Sequence, residues 1–386
     1  MDYLGYVLFF AAWVGHSALW LVALNVLYSR PMPRWVLKSA RHGVGVLVLV
    51  FPFLLWWAEG LRLADFPPED WTAGSAAIGI YLGLCWAMAF VAIPAMTLAR
   101  HMRWQPPQLQ SHRSKVVNVA RNLGYKPAGD GKYRRIAVLP GNQVFQVEFT
   151  ELRLQLPNLP QAWDGLTILH LSDLHLIGTP DRVFYEQVIK QCMSDGIPDI
   201  LTITGDLVDT DKHHRWLLPL FRNLQWNEAA FAILGNHDVW HRPARVRRRL
   251  QKCGIAVLAN DWTLQRIRDE PLVVIGHEGP WFRPPPNLTA CPSRTFRLCL
   301  SHTPDNIRWA QRNGIHLMLS GHNHGGQIRL PLFGSLFVPS KYSRKYDCGL
   351  FWEPPTLLNV SRGLAGKEPL RYNCRPEITR LILRAG

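Results

Sequence analysis

Charged residues are scarce at the start of this 386-residue chain. No Asp, Glu, Lys or Arg lies between Asp2 and Arg30, and residues 6–27 are almost wholly apolar. At about 1.5 Å per residue, a helix over this run would reach about 33 Å, which is enough to cross a bilayer. The acidic second residue and the length of the run argue against a cleavable signal peptide. We therefore expect a first transmembrane helix here.

Two further runs with few charges predict transmembrane helices at residues 43–58 and 76–98. The second of these runs is short and contains Pro52, so its ability to span the bilayer is left open. Lys and Arg are concentrated after the first and third runs, whereas Asp and Glu prevail between the second and third. The positive-inside rule then places the amino terminus outside and everything after Arg100 in the cytoplasm. We expect a multi-pass protein of the inner (cytoplasmic) membrane.

The sequence also lacks paired cysteines, internal repeats and low-complexity tracts. Its seven cysteines are scattered, and none lies in a C-x-x-C pair, so neither a disulfide framework nor a zinc knuckle is predicted. A net charge of +15 indicates an anionic partner such as a phosphate or a lipid surface. No recognisable nucleic-acid-binding module is present, so we expect no specific nucleic-acid binding. The sequence predicts no oligomeric state.

Five short apolar runs after residue 165 each end in metal-capable side chains. These residues are Asp173 and His175, then Asp206, then Asn236, His237 and Asp238, then His302, and finally His322 and His324. The runs read as buried strands, and the carboxyl ends of such strands are where open α/β sheets form ligand sites. Mixed carboxylate, amide and imidazole donors suit Mn²⁺, Fe²⁺ or Zn²⁺ better than Ca²⁺ or structural zinc. Such a set can hold two ions about 3.5–4 Å apart with a water or hydroxide between them, an arrangement that attacks phosphorus in line.

These motifs resemble the five sequence blocks of the calcineurin-like metallophosphoesterases. The resembling motifs are Asp173-x-His175, Gly205-Asp206-x-x-Asp209, Gly235-Asn236-His237-Asp238, Ser301-His302 and Gly321-His322-x-His324. The resemblance implies an α/β (α+β) sandwich of two mixed sheets flanked by helices, here preceded by about three transmembrane helices. It also implies two divalent ions, with Mn²⁺ expected and Fe²⁺ or Zn²⁺ as alternatives.

The resemblance further implies a role for each site residue. One ion would be held by Asp173, His175, Asp206 and His324, and the other by Asp206, Asn236, His302 and His322, with Asp206 bridging them. His237 would lie beside the phosphate as proton donor or transition-state stabiliser, and Asp238 would orient His237. Asp209 is interpreted as a supporting or capping residue.

The carboxyl-terminal part of the sequence is similar to one branch of this family. The run Gly325-Gly326-Gln327 and the tail around residues 360–378 resemble membrane-associated phosphodiesterases and the chlamydial type of UDP-2,3-diacylglucosamine pyrophosphatase. The resemblance implies hydrolysis of a phosphodiester or pyrophosphate bond in a lipid-linked substrate, with release of UMP in lipid A synthesis as the specific candidate. A broad phosphodiesterase or phosphatase acting on another lipid or nucleotide, and a non-catalytic membrane scaffold, are the alternatives.

The predicted domains are a transmembrane region at 1–100, a basic linker at 101–143 and a phosphoesterase domain at 144–386. Residues 144–156 alternate apolar and polar side chains, which predicts edge strands at the start of that domain.

Three sequence features outside the motifs remain open. The loop from Gly276 to Trp281 either contacts substrate or is structural, the arginines after His241 face an anionic partner or water, and residues 330–352 form a lip against lipid or a packed hairpin.

Overall fold

The computed structural model describes residues 3–59 and 73–386. The chain forms two compact units, which we call the helical unit (Met1–Trp104 and Pro331–Lys345) and the α/β unit (Gln105–Leu330 and Tyr346–Gly386). The predicted acidic loop between the second and third spans lies in residues 60–72, outside the described residues.

The helical unit contains three long apolar helices. They are α1 (Tyr3–Tyr28), α2 (Arg34–Glu59) and a third helix made of α3 (Ala73–Ala87), a π-helical turn (Met88–Ala92) and α4 (Ile93–His101). By length and composition, Tyr3–Tyr28, Arg34–Trp57 and Ala76–His101 are candidate membrane spans. The three apolar helices predicted from the sequence are confirmed, and Pro52 lies inside α2 without ending it.

Polar side chains between these helices satisfy one another. His16 Nδ1 lies 2.6 Å from the Tyr81 hydroxyl, and His16 Nε2 lies 3.2 Å from the Leu47 carbonyl oxygen. Trp20 Nε1 donates to the same hydroxyl at 3.2 Å. Because a buried polar atom without a partner is costly in an apolar surrounding, these contacts explain His16 as a packing residue between helices.

The α/β unit contains six shorter helices and most of the strands among the described residues. The helices are α5 (Val119–Leu123), α6 (Arg134–Ala137), α7 (Arg182–Ser194), α8 (His214–Phe221), α9 (Pro243–Gln251) and α10 (Ile307–Arg312). Helix α7 shows how the sequence sets a boundary, because the Asp181 side chain caps it by accepting from the Phe184 N–H at 3.0 Å. Its buried face contains Val188 and Ile189, as the helical spacing predicts.

The strands follow in chain order. They are β1 (Leu109–Asn118), β2 (Gln146–Leu156), β3 (Thr167–Leu171), β4 (Ile200–Thr204), β5 (Ala229–Ile233), β6 (Ala256–Val257), β7 (Trp262–Ile267), β8 (Glu270–His277), β9 (Phe296–Ser301), β10 (Leu317–Ser320), β11 (Arg329–Leu330), β12 (Gly334–Ser335, in the helical unit), β13 (Gly349–Glu353), β14 (Thr356–Val360) and β15 (Glu377–Ala385).

Two mixed sheets form the body of the α/β unit, as predicted. The larger has the strand order β1-β2-β15-β3-β4-β5-β6, and the smaller has the order β13-β14-β10-β9-β8-β7. Strands β3, β4 and β5 are parallel to one another, and so are β9 and β10. Their carboxyl ends therefore meet at common sheet edges, where ligand sites form.

Two apolar cores lie on opposite faces of the larger sheet. Along β3, Ile168 belongs to a core shared with the smaller sheet, whereas Leu169 belongs to a core shared with α7, α8 and α9. Ile200 and Leu201 of β4 divide in the same way. Successive side chains of a strand point to opposite faces, so strands buried on both sides read as continuous apolar runs. This is why the five runs were recognisable in the sequence.

The predicted basic linker at 101–143 differs from the structure. Most of it lies in the α/β unit and forms β1, α5 and α6. Strand β1 pairs antiparallel with β2 from Leu109↔Leu154 to Asn118↔Gln146. Strand β2 is consequently an inner strand between β1 and β15 rather than the predicted edge.

Candidate metal centre

The predicted site residues follow the carboxyl ends of five strands. Asp173 follows β3, Asp206 follows β4, and the run from Asn236 follows β5. In the smaller sheet, His302 follows β9 and His322 follows β10. Because each strand stops where its polar residue begins, the sheets carry these side chains into one pocket.

The backbone at this pocket is strained. Five site residues have a positive φ, namely Asp173 (53°), His175 (44°), Asp206 (54°), His322 (68°) and His324 (50°). Such values are uncommon for residues other than glycine, and they cluster where a function requires an unfavourable conformation.

The first cluster contains Asp173, His175, Asp206 and His324, whose ligand atoms lie within 4.8 Å of one another. His175 Nε2 is 3.2 Å from His324 Nε2, 3.5 Å from Asp206 Oδ2 and 3.8 Å from Asp173 Oδ1. Two ligands bound to one ion at about 2.0–2.2 Å lie about 3.0–3.5 Å apart. The donor atoms are therefore spaced to fit a divalent ion.

The second cluster contains Asp206, His302 and His322, and shares Asp206 with the first. His302 Nε2 lies 3.4 Å from Asp206 Oδ2 and 2.9 Å from the Asn236 amide oxygen. Except for the partly buried His324, the residues of the two clusters are buried, and Asp206 is only 1% exposed. All seven predicted ligands are therefore brought together around one shared carboxylate.

Three of the four predicted histidine ligands are held so that their Nε2 atoms face the clusters. Nδ1 of His175 contacts Asp209 Oδ2 at 2.8 Å, Nδ1 of His302 contacts the Thr204 carbonyl at 2.7 Å, and Nδ1 of His324 contacts the Ala365 carbonyl at 3.1 Å. Metal-binding histidines characteristically donate their other ring N–H to an oxygen in this way, which fixes the tautomer. The residues therefore fit a pair of divalent ions.

Asp209 has the contacts of a supporting residue, one of the two interpretations made from the sequence. Its Oδ1 contacts His237 Nδ1, while its Oδ2 contacts His175 Nδ1. The residue in contact with the His237 ring is therefore Asp209 and not Asp238, to which the resemblance gave that position. The carboxylate of Asp238 instead accepts backbone N–H groups of Leu207 at 3.0 Å and Gly235 at 2.9 Å, and so joins the loops after β4 and β5.

Several supporting residues carry no motif signal. Ser172 Oγ donates to Asp173 Oδ2 at 2.5 Å and accepts from Thr204 Oγ1 at 2.8 Å. Arg371, only 1% exposed, donates to the His324 carbonyl at 2.9 Å and to the Ala365 carbonyl, the same oxygen that the His324 ring contacts. These contacts hold Asp173 and His324, two residues of the first cluster.

The electrostatics of the pocket favour a cation. Burial by itself would raise the pKa of Asp206, but His302 and His237 hold that pKa well below its ordinary value. Burial opposes charge on His302 as well, yet the Asp206 carboxylate raises the pKa of His302 to about 9. Burial lowers the pKa of His324 to about 3, which keeps that ring neutral and able to bind metal. Buried carboxylates here draw positive charge, as a metal would supply.

The loop after β8 builds one wall of the pocket. The Trp281 ring lies 4.8 Å from the His322 ring and 5.6 Å from the His302 ring, measured between centroids. Glu278 accepts from the Leu234 N–H at 2.7 Å and pairs with Arg247. Glu278 is therefore a structural residue of this loop, which was one of the two interpretations of the sequence. Arg247 of the basic helix α9 is its ion-pair partner.

A buried pair of nitrogen and oxygen clusters sharing one carboxylate, at the strand ends of a two-sheet α/β sandwich, is the arrangement expected of a dinuclear metallohydrolase. Residues 166–326 match the calcineurin-like phosphoesterase family. A metallophosphoesterase of Bacillus subtilis, YkuE, is 31% identical over 62% of this chain and 86% of its own length. The Escherichia coli phosphodiesterase YaeI is 32% identical over 56% of this chain and 81% of its own length.

The chain therefore belongs to the calcineurin-like phosphoesterase family and is a metal-dependent phosphoric ester hydrolase. A more distant relative is the UDP-2,3-diacylglucosamine pyrophosphatase LpxG of Chlamydia trachomatis, 26% identical over 59% of this chain and 87% of its own length. The identity of the metal stays a prediction.

Proposed function

We propose that this protein is a membrane-anchored phosphoesterase with two divalent ions that hydrolyses a phosphodiester or pyrophosphate bond in a lipid-linked substrate. The observation that carries the chemistry is the sharing of Asp206 between two buried clusters. The proposed ligands are those of the sequence analysis, with Asp173, His175, Asp206 and His324 around one ion and Asp206, Asn236, His302 and His322 around the other.

Each group of the pocket has a distinct task in the proposed reaction. Bound divalent ions neutralise charge on phosphoryl oxygens and lower the pKa of the attacking water. His237 lies beside the clusters, and 22% of its side chain is exposed to solvent. Its Nδ1 contacts Asp209, and we assign its Nε2 as the group that gives a proton to the leaving oxygen.

The membrane part of the proposal rests on the three apolar helices and on charge asymmetry. We place the α/β unit on the cytoplasmic side of the inner membrane, because Lys and Arg follow the first and third helices. A carboxyl-terminal fluorescent reporter that folds only in the cytoplasm tests this orientation. If the protein is present in the membrane fraction but the reporter does not fluoresce, the α/β unit lies on the opposite side of the membrane.

UDP-2,3-diacylglucosamine is the candidate substrate. The support is the likeness to LpxG over most of that relative's length, together with the candidate spans. Purified full-length protein in detergent, supplied with Mn²⁺, should release UMP from this compound. If simple diesters are cleaved and UMP is not released, this substrate assignment is wrong.

A broad phosphodiesterase is the second candidate function, favoured by the higher identity to YaeI than to LpxG. Bis-p-nitrophenyl phosphate tests the chemistry common to both candidates. Chelation should abolish its hydrolysis, and added Mn²⁺ should restore it. Asp206→Asn should remove the activity, whereas the matched control Asp269→Asn, at an exposed turn, should retain it. Equal rates for the parent chain and Asp206→Asn would favour a non-catalytic scaffold.

A further inference from the structure

The segment Pro331–Lys345, which we call the inserted segment, belongs to the helical unit although the chain on both sides of it belongs to the α/β unit. It begins shortly after the last metal-site motif, which ends at His324. The chain returns at Tyr346, whose carbonyl accepts from Asn323 Nδ2 at 2.7 Å, and Asn323 lies between two predicted metal ligands. The chain therefore leaves the α/β unit and returns to it at residues that lie near the last metal-site motif in the sequence.

A buried amide in the first apolar helix holds the inserted segment. Asn25, 1% exposed, accepts from the Val338 N–H at 3.0 Å and donates to Ser343 Oγ at 3.1 Å. The Tyr28 ring packs edge-on against Phe337 with centroids 5.3 Å apart. Both ends of the Asn25 amide are used on this segment, so the contact is specific.

The contacts of the inserted segment lie at helix ends on one side of the apolar helices. Asn25 and Tyr28 are in the last turn of α1, and the Tyr28 hydroxyl donates to the Leu37 carbonyl near the start of α2. Gly334 lies so close to the Arg100 guanidinium, near the end of α4, that an added Cβ would be 2.3 Å from Nη1. Consecutive spans alternate in direction, so these ends share one membrane face and mark the depth at which the helices leave the bilayer.

Apolar side chains project from the tip of the inserted segment. Leu332 is 73% exposed and Phe333 is 45% exposed. Leu332 has a φ of 65°, which is an unfavourable conformation for leucine. A turn that faces water would favour Gly or Asn at such a position. Arg344 donates to the Phe333 carbonyl at 3.1 Å and to the Ser335 carbonyl at 3.3 Å, which holds the tip in shape.

We propose that Leu332 and Phe333 insert into the lipid leaflet at the level where the spans end. The occupant of this surface is the boundary between acyl chains and head groups, because the tip is continuous with the apolar helices. Its basic residues Lys341, Arg344 and Lys345 complement anionic head groups. The catalytic consequence rests on the proposed function: a substrate carrying acyl chains lies in the lipid leaflet, and insertion of Leu332 and Phe333 would help to hold the protein at that leaflet.

Cysteine labelling tests the lipid contact without reference to activity. Full-length Leu332→Cys and Leu264→Cys variants are reconstituted in phosphatidylethanolamine and phosphatidylglycerol nanodiscs and treated with a water-soluble maleimide, and each site is quantified by peptide mass spectrometry. Leu264 is a matched control because it is 52% exposed in β7 of the α/β unit. We expect labelling about tenfold slower at position 332, since lipid excludes the reagent. Equal labelling rates would overturn the proposal.

Kinetics test the catalytic consequence. In the full chain, Leu332→Asp combined with Phe333→Asp should raise KM for a vesicle-borne phosphodiester about fivefold or more, because charge opposes insertion. Hydrolysis of bis-p-nitrophenyl phosphate should be unchanged. An unchanged KM on vesicles, or equal loss on both substrates, would overturn this consequence. A parent chain inactive on every phosphoester would refute the proposed function instead and leave the labelling result to decide the lipid contact.

Discussion

At the scale of single residues, Asp209 connects the metal centre to the proposed proton donor. One carboxylate oxygen orients the His175 ring, and the other orients the His237 ring. The side chain is only 3% exposed, so both contacts are shielded from water. A hydrogen-bonding partner of this kind positions its neighbours without touching substrate.

Substitution of His237 should separate proton donation from metal binding. We expect His237→Ala to lower kcat by about 10²–10⁴-fold on a diester with an alkyl leaving group, since that oxygen needs a proton. The loss should be much smaller with a p-nitrophenyl leaving group, which departs as a stable anion. Metal content, measured by plasma mass spectrometry, should be unchanged. Equal losses on the two substrates would contradict a general-acid role.

Substitution of Asp209 should weaken both histidines at once. Asp209→Asn keeps the shape and removes the charge, and we expect activity or metal affinity to fall about 10–100-fold. Asp211→Asn is the matched control, because Asp211 is 45% exposed and pairs with Arg242. The control should retain nearly full activity. If Asp209→Asn behaves like the control, the positioning role is wrong.

Sequence reasoning named the candidate ligands and Asp209 but not the supporting residues Ser172 and Arg371, and the reason is chemical. A ligand such as His302 follows a buried apolar run, which leaves a readable pattern. Arg371 acts by donating to backbone carbonyls, and any residue type can present a carbonyl. Asp209 and Asp238 are both carboxylates beside motifs, so residue type alone could not assign which one orients His237.

At the scale of secondary-structure elements, the pair of Glu278 and Arg247 joins three parts of the α/β unit. Glu278, in the loop after β8, accepts from the Leu234 N–H at the end of β5, and Arg247 comes from α9. Glu278 is 1% exposed, and the Arg247 guanidinium also lies over the Phe282 ring. The pair therefore sets the position of the loop that carries Asn236.

Removing one partner of this pair should destabilise the fold. We expect Glu278→Ala to lower the free energy of unfolding by about 3–5 kcal/mol. The charge of Arg247 and the buried Leu234 N–H would both lose the carboxylate that they contact. Urea unfolding of the detergent-solubilised full chain, followed by near-ultraviolet circular dichroism, measures this. Glu270→Ala, at the exposed start of β8, should change stability little. Similar midpoints for the two variants would contradict the argument.

The strand that sequence reasoning missed shows where pattern reading fails. Strand β1 is an edge strand with most of its side chains exposed, and its sequence is rich in Ser, His, Arg and Lys. With so little apolar surface to bury, it has no alternation to detect, and its basic residues resembled a tether. Its place in the sheet is set by pairing with β2, a nonlocal contact.

At the scale of the whole molecule, the boundary between the two units is not a single point in the chain. A cut after Trp104 would remove the apolar helices but leave the inserted segment on the α/β unit. Val338, now fully buried, and Phe337 would then lose the α1 contacts that Asn25 and Tyr28 provide. Newly uncovered apolar surface of this kind promotes association.

Two truncations should therefore differ sharply. We expect residues 105–386 to aggregate or bind detergent on size-exclusion chromatography, because Phe337 loses its contact with Tyr28 while Leu332 and Phe333 are already exposed. The same fragment with residues 332–344 replaced by a Gly-Ser linker of equal length should elute as a smaller, detergent-independent species, since flexible polar linkers bury no surface. Hydrolysis of bis-p-nitrophenyl phosphate should persist in the second fragment, whose metal-site residues all lie outside the replaced stretch. A monomeric, detergent-free first fragment would show that the inserted segment does not depend on the apolar helices.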